Sequence, residues 1–168
     1  REMKVTSLPI VVGFDRKKKW YFAHMVPKTG HDAHAIKIMA REVSISGYSQ
    51  LILKSDQEPA IREMIAAVRR ERPFGVEIVI EESPVGGHQS NGEVERAIQS
   101  VQEMMRTMKL ALQSRYKSRI RADHPILLWL VKHAAMILNL CKIGNDGRTA
   151  YERRKGKRFL RTLPEFGE

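Results

Sequence analysis

Cysteine is almost missing from this chain: Cys141 is the only one in 168 residues. A single thiol excludes an internal disulfide framework and any cysteine-rich zinc site. Cys141 lies in an apolar helical run, where an inert core thiol is expected. Long apolar stretches are missing too, and none reaches the ~20 residues that span a bilayer. No internal repeat and no low-complexity tract appears. The histidines do not make up for the missing thiols. His31 and His34 stand three apart at a helix start with no third ligand at metal spacing, and are expected on the surface. The first residues, Arg1-Glu2-Met3-Lys4, form neither a signal peptide nor an initiator start. They predict a chain that begins inside a longer protein.

Acidic residues are scarce in one half only. The whole chain carries 30 Lys+Arg against 19 Asp+Glu, a net charge of +11. Residues 106–168 hold 15 basic and 5 acidic side chains, whereas residues 1–105 hold 15 and 14. An excess so lopsided points to nucleic acid or another anionic surface as partner. The remaining composition, 42% hydrophobic and 29% charged, is that of an ordinary globular protein. At this length one domain with a proper core is expected.

The apolar pattern orders the elements. Pro9–Phe14 is an unbroken β-branched run, Asp15–Lys19 a charged turn, and Trp20–Val26 a returning strand, so the three read as a hairpin. Thr29-Gly30-His31-Asp32 opens a helix of about four turns with an inward stripe of Ala35, Ile38, Met39, Val43 and Ile45, and Gly47 stops it. Leu51–Leu53 is a short buried strand. Pro59 sits early in the next helix, where its missing N–H costs nothing. Val76–Ile80 is another strand, and Ser83–Asn91 a polar loop expected to be mobile. From Glu93 the apolar positions alternate in threes and fours to 111/112, a helix of about six turns. Asp123-His124-Pro125 caps a final helix, Ile126–Leu140, apolar on most sides and so expected to be buried. Trp20 and Trp129 are expected in the core. The tail from Gly144 is basic and rich in turns. This succession predicts an α/β fold with a mixed sheet, antiparallel in the hairpin and parallel through the helical crossovers.

Two carboxylates stand out on this scaffold. Asp56 follows the strand Gln50–Ser55, and ligands of such sheets gather at the carboxyl ends of parallel strands. Glu95 lies in the first turn of the long helix, behind the polar stretch His88-Gln89-Ser90-Asn91-Gly92. A strand-end Asp and a helix-start Glu separated by an αβ unit can converge on one divalent cation. Mg²⁺ takes oxygen ligands, commonly one or two carboxylates plus substrate phosphates. Glu93 competes with Glu95 but points roughly 200° away around the helix. Gln99, Gln102, Arg106 and Lys109 continue the Glu95 face, placed to follow a phosphate backbone.

Four segments in order resemble the catalytic core of retroviral and long-terminal-repeat retrotransposon integrases. They are Ile10–Arg16, Lys54-Ser55-Asp56-Gln57-Glu58, Gln89-Ser90-Asn91-Gly92-Glu93-Val94-Glu95-Arg96, and Thr149–Arg158. The resemblance covers nearly the whole chain. It implies a ribonuclease-H-like mixed sheet flanked by helices, with the core over residues 1–122 and a C-terminal helix and basic tail over 123–168, packed on or following it. It further implies DNA integration by polynucleotidyl transfer, meaning end processing and strand transfer, with Asp56 and Glu95 as catalytic and metal-binding acids. The complete site of that family takes two Mg²⁺ or Mn²⁺ about 3.5–4 Å apart. Gln89, Ser90, Asn91, Gln99, Gln102, Arg106 and Lys109 would contact DNA, and His88 is either a further contact or a plain polar residue. The implied partners are element ends and target duplex, together with further copies of the chain. The implied location is the nucleus or a nucleoprotein particle, with no secretion and no membrane.

The family uses three acids, and the first lies on a strand before the one Pro9–Phe14 resembles. That acid is expected upstream of Arg1, with Asp15 only a turn residue, so the chain alone should show little nicking or joining. Two other readings stand beside this one. One is a core that binds nucleic acid or dimerises without chemistry, and the other is a ribonuclease H.

Overall fold

A computed structural model describes residues 8–55, 58–71, 75–82, 88–164 and 166–167. It divides into two compact units, one made of Arg1–Met25 with Glu93–Glu168 and the other of Val26–Gly92.

In the first unit, strands β1 (Ile10–Asp15) and β2 (Trp20–Met25) pair antiparallel, from Ile10 opposite Met25 to Asp15 opposite Trp20. The turn between them is tied by Asp15, whose Oδ1 accepts the backbone N–H of Lys17 (2.9 Å) and Lys18 (3.0 Å). An aspartate that hydrogen-bonds the backbone ahead of it is a local turn-former. Gly13 stands opposite Phe22, whose ring lies across it. A Cβ there would come within 1.8 Å of the Phe22 ring, which would have to swing aside to admit it.

Three helices complete this unit. Helix α3 spans His88–Tyr116 and enters the unit at Glu93, α4 spans Ile126–Cys141, and α5 spans Ala150–Lys155. Tyr21 and Ala23 of β2, Ala97 and Val101 of α3, and Val131, Ala135 and Leu138 of α4 form one buried cluster. The apolar positions of both helices recur every three or four residues, which is the spacing that keeps one face inward. The valine and leucine side chains so buried contribute about 1.5–3 kcal/mol each, and the alanines less. Asn139 locks α4 to the strand. It is the one buried polar side chain among the described residues. Its Oδ1 accepts the Tyr21 N–H at 2.7 Å and its Nδ2 donates to the Tyr21 carbonyl at 2.8 Å, as a neighbouring strand would. A second cluster joins Leu112 of α3 to Leu127 and Leu130 of α4, with Phe166 from the tail packed against it.

In the second unit, strands β3 (Gln50–Ser55) and β4 (Glu77–Glu82) pair parallel, with Ser55 opposite Glu82. Helices α1 (Ala33–Ile45) and α2 (Pro59–Arg70) pack together, and α2 also packs on both strands. Asp32 caps α1 by accepting the Ala35 N–H at 2.8 Å. Pro59 opens α2 as expected, and Arg69 and Arg70 at its end suit the negative pole of the helix dipole. The described strands form two two-stranded sheets, β1 with β2 antiparallel and β3 with β4 parallel, the two kinds of pairing expected of a hairpin followed by crossovers.

Several local expectations are corrected. The long helix begins at His88 rather than Glu93. Gln89, Ser90 and Asn91 therefore have helical backbone instead of lying in a loop, and the helix runs through Gly92. The tail is not all turns: Thr149 and Glu152 form a capping box that starts α5, and Gly156 (φ 69°) ends it. On α4, Leu128, Trp129 and Met136 are exposed, Trp129 by 68%, so the helix is buried on one face only. Cys141 is exposed rather than in the core. Trp20 is half-buried, with the Arg154 guanidinium 4.2 Å from its ring centre. Ile45 is exposed at the end of α1, where the buried stripe is Ala35, Ile36, Met39 and Val43. Pro125 occupies the N-cap of α4, and the His124 ring accepts the Ile126 N–H, in place of a cap from Asp123.

Candidate metal and nucleic-acid site

Helix α3 carries most of the candidate residues. At 3.6 residues per turn, Glu95, Gln99, Gln102, Arg106 and Lys109 fall within roughly 80° of one another. Exposure follows that arithmetic. Glu95, Gln99, Gln102 and Arg106 are exposed and Lys109 is half-buried, while Ala97, Val101 and Leu112 on the other side are buried. The Glu95 carboxylate makes no hydrogen bond or ion pair with any other described residue. It is left open to solvent, with neutral amides and then cations following it along the helix.

Glu93, two residues earlier, has a different fate. Its carboxylate accepts from Lys19 Nζ at 3.0 Å and is paired with Arg16 Nε, both on the hairpin turn. The hydrogen bond from Lys19, reinforced by Arg16, holds its pKa below the ordinary carboxylate value. Glu93 thus fastens α3 to the hairpin and is not available as a free ligand. Asp15 is likewise engaged, in its own turn.

Asp56, the other acid singled out in the sequence, follows Ser55 at the carboxyl end of β3 and lies outside the described residues. The side chains of Gln89, Ser90 and Asn91 lie outside them as well. Among the described residues no group of three or more His, Cys, Asp or Glu is placed to hold a metal ion. The donor chemistry of Glu95 itself, an uncommitted carboxylate in water, fits a hard cation such as Mg²⁺ or Mn²⁺.

A basic cleft that no single stretch of sequence marks lies on the hairpin side of α3. It has a volume of about 610 Å³, is open to solvent, and is lined by Lys17, Lys19, Arg96, Lys142 and Arg153 among others. The run Arg16–Lys19 was visible in the sequence as charge. Nothing local links it to Lys142 or Arg153, which fold onto it from more than 120 positions away.

No family model matches this sequence, and no curated protein does. Solved structures do match. The catalytic core domain of BIV integrase aligns over 86% of this chain and 84% of its own length, with a TM-score of 0.55 and 23% identity. The HTLV-2 integrase catalytic core domain, solved in complex with magnesium in a trimeric form, aligns over 88% of this chain and 93% of its own, with a TM-score of 0.57 and 13% identity. The chain has the ribonuclease-H-like α/β fold of integrase catalytic cores.

Proposed function

We propose that this chain is the catalytic core of an integrase of the retroviral or retrotransposon kind, acting on DNA by metal-dependent polynucleotidyl transfer. The observation that carries the reading is Glu95. On a fold shared with integrase cores, it is an exposed carboxylate free of described partners, and it heads a helix face that continues through Gln99, Gln102, Arg106 and Lys109. Asp56 and Glu95 would be the acids that hold Mg²⁺ or Mn²⁺, two ions in the complete site. When bound, such ions neutralise charge on a phosphodiester and generate a nucleophile from water or a 3′-hydroxyl. The chain's own part is to present the carboxylates and to fix the duplex. Arg106 and Lys109 would meet backbone phosphates, with Gln99 and Gln102 donating hydrogen bonds between them. Contacts of this type position DNA without reading its sequence. The magnesium and the trimer of the HTLV-2 core support a divalent ion and a homo-oligomer here.

A second reading, a core that binds DNA without chemistry, is favoured by one observation. Asp15, the acid nearest the start of the described chain, is used up in the hairpin turn. Supercoiled plasmid, Mn²⁺ and three proteins (the parent, Asp56→Asn and Glu95→Gln) separate the two. Metal-dependent nicking by the parent, lost about a hundredfold or more in both variants, supports the integrase reading, since a metal ligand is worth several kcal/mol to the transition state. Because the first acid is expected ahead of β1, each protein is also assayed with the preceding strand added, and DNA binding without nicking in every form supports the second. Nicking that survives both substitutions overturns the proposed site.

A further inference from the structure

The basic cleft in the first unit lies on the side of α3 away from Glu95. Its floor is Phe14 and Tyr21, whose rings meet at 5.0 Å. Ammonium groups stand over both, Lys19 Nζ at 5.7 Å from the Phe14 ring centre and Lys142 Nζ at 5.4 Å from that of Tyr21. Lys142 also donates to Ser100 Oγ at 2.9 Å, which holds its charge at the wall of the cleft. Arg153 is fixed by two hydrogen bonds to Asp146. Lys17 is exposed, and its ammonium has no partner among the described residues.

Five cations therefore face two carboxylates, Glu93 and Asp146. Both carboxylates are already engaged by arginine or lysine, so the cleft keeps an excess of positive charge directed at a space without protein atoms. The backbone points the same way. Lys19 has a φ of 55°, a left-handed conformation that glycine takes freely and other residues take at a cost. A hairpin loop of this kind commonly carries glycine at such a position. Lysine there costs stability and adds a cation to the cleft, and outliers of this sort cluster at binding sites.

We infer that this cleft is a second phosphate site, which seats a backbone phosphate of the nucleic acid at a distance around α3 from the reacting one. The inference rests on the DNA reading above and adds a contact surface to it. Phosphate chemistry fits the lining because ammonium groups bind phosphate as point charges and a guanidinium offers paired donors. A strand rather than a small free anion is the expected source. The cleft is open to solvent, which lets a polymer lie across it, and the chain's surplus charge suits a polyanion.

Fluorescence anisotropy with a labelled DNA duplex, read across a salt series, tests this on the parent chain and on designed variants. Lys17→Ala with Lys142→Ala should weaken binding about tenfold at low salt and make the salt slope shallower by about 1–2. Lys17→Ala with Lys142→Gln keeps a donor for Ser100 and should lose as much, which separates charge from packing. Glu93→Gln frees Lys19 and Arg16 and should tighten binding several-fold, a rise that a purely structural cleft would not give. A parent that binds DNA with variants that bind equally well overturns the inference and leaves the DNA reading standing. A parent that binds no DNA overturns both. Inorganic pyrophosphate, followed by ³¹P NMR, provides the other arm. If it binds the parent and not the double variant while DNA affinity is the same in both, the cleft holds a free anion and the strand contact is wrong.

Discussion

Glu93 and Glu95 are separated by one valine, and their different surroundings decide what each can do. Glu95 points to water and Glu93 reaches back to the hairpin. Helical spacing alone placed them on different faces, so that much was legible in the sequence. The partners of Glu93 were not, because Arg16 and Lys19 lie more than seventy positions away and only the folded chain joins them. The pH dependence follows from the direction of the Glu93 shift. Its pKa is lowered by the Lys19 hydrogen bond, so its contribution is present above the ordinary carboxylate value of 4.5 and is lost as pH falls through the lowered one. Asp146 and Glu152 shift the same way, Asp146 through Arg153 and Glu152 through the Thr149 N–H, and add to the acid sensitivity. Thermal melts between pH 3 and 6 should show stability falling toward acid, less steeply in Glu93→Gln. A profile identical to the parent would mean the latch is absent in solution. Glu95→Gln should leave the melt unchanged within about 0.5 kcal/mol, as expected for a surface side chain without contacts.

At the scale of elements, the long periodic helices, the hairpin and the capped start of α1 were readable because propensity, pattern and caps agree there. Two elements differ from the expectation for physical reasons. The Thr149–Glu152 pair is a capping box, but a helix of six residues leaves almost no periodicity to detect beside its turns. The apolar surplus of α4 suggested burial all round, yet composition does not say how many neighbours a helix has, and Trp129 is left in water. The capping box makes a prediction of its own: Thr149→Ala should lower stability by about 1 kcal/mol, read by chemical denaturation. Asn139→Leu is the sharper test of how α4 is held. It strands the N–H and C=O of Tyr21 in a buried place and should cost about 2–4 kcal/mol. A neutral outcome would show that the amide bracket does not tie the strand.

At the scale of the molecule, the basic half was plain from the sequence, but which of its charges are free was not. Arg153 and Arg158 are paired with Asp146 and Glu152, and Arg154 stacks on Trp20, so these three belong partly to the fold. Lys155 and Lys157 are exposed and without described partners. Replacing those two lysines by alanine should flatten the salt dependence of DNA binding without moving the melt, whereas Arg153→Ala or Arg154→Ala should lower the melt as well. With about half a dozen phosphate contacts, affinity for an unrelated duplex should fall roughly 10³-fold between 50 and 200 mM salt. Salt-independent binding would assign the basic half to another partner.

The proposed function requires that Glu95 and Asp56 hold the divalent ion of an integrase-type site. Titrating Mn²⁺ into ¹⁵N-labelled protein tests it most directly, because the paramagnetic ion broadens the amides around its own ligands. Signals of residues 94–99 and of those flanking Asp56 should be lost together at low Mn²⁺, and Glu95→Gln and Asp56→Asn should each abolish the effect. Broadening that begins elsewhere, or that persists unchanged in both variants, would contradict it.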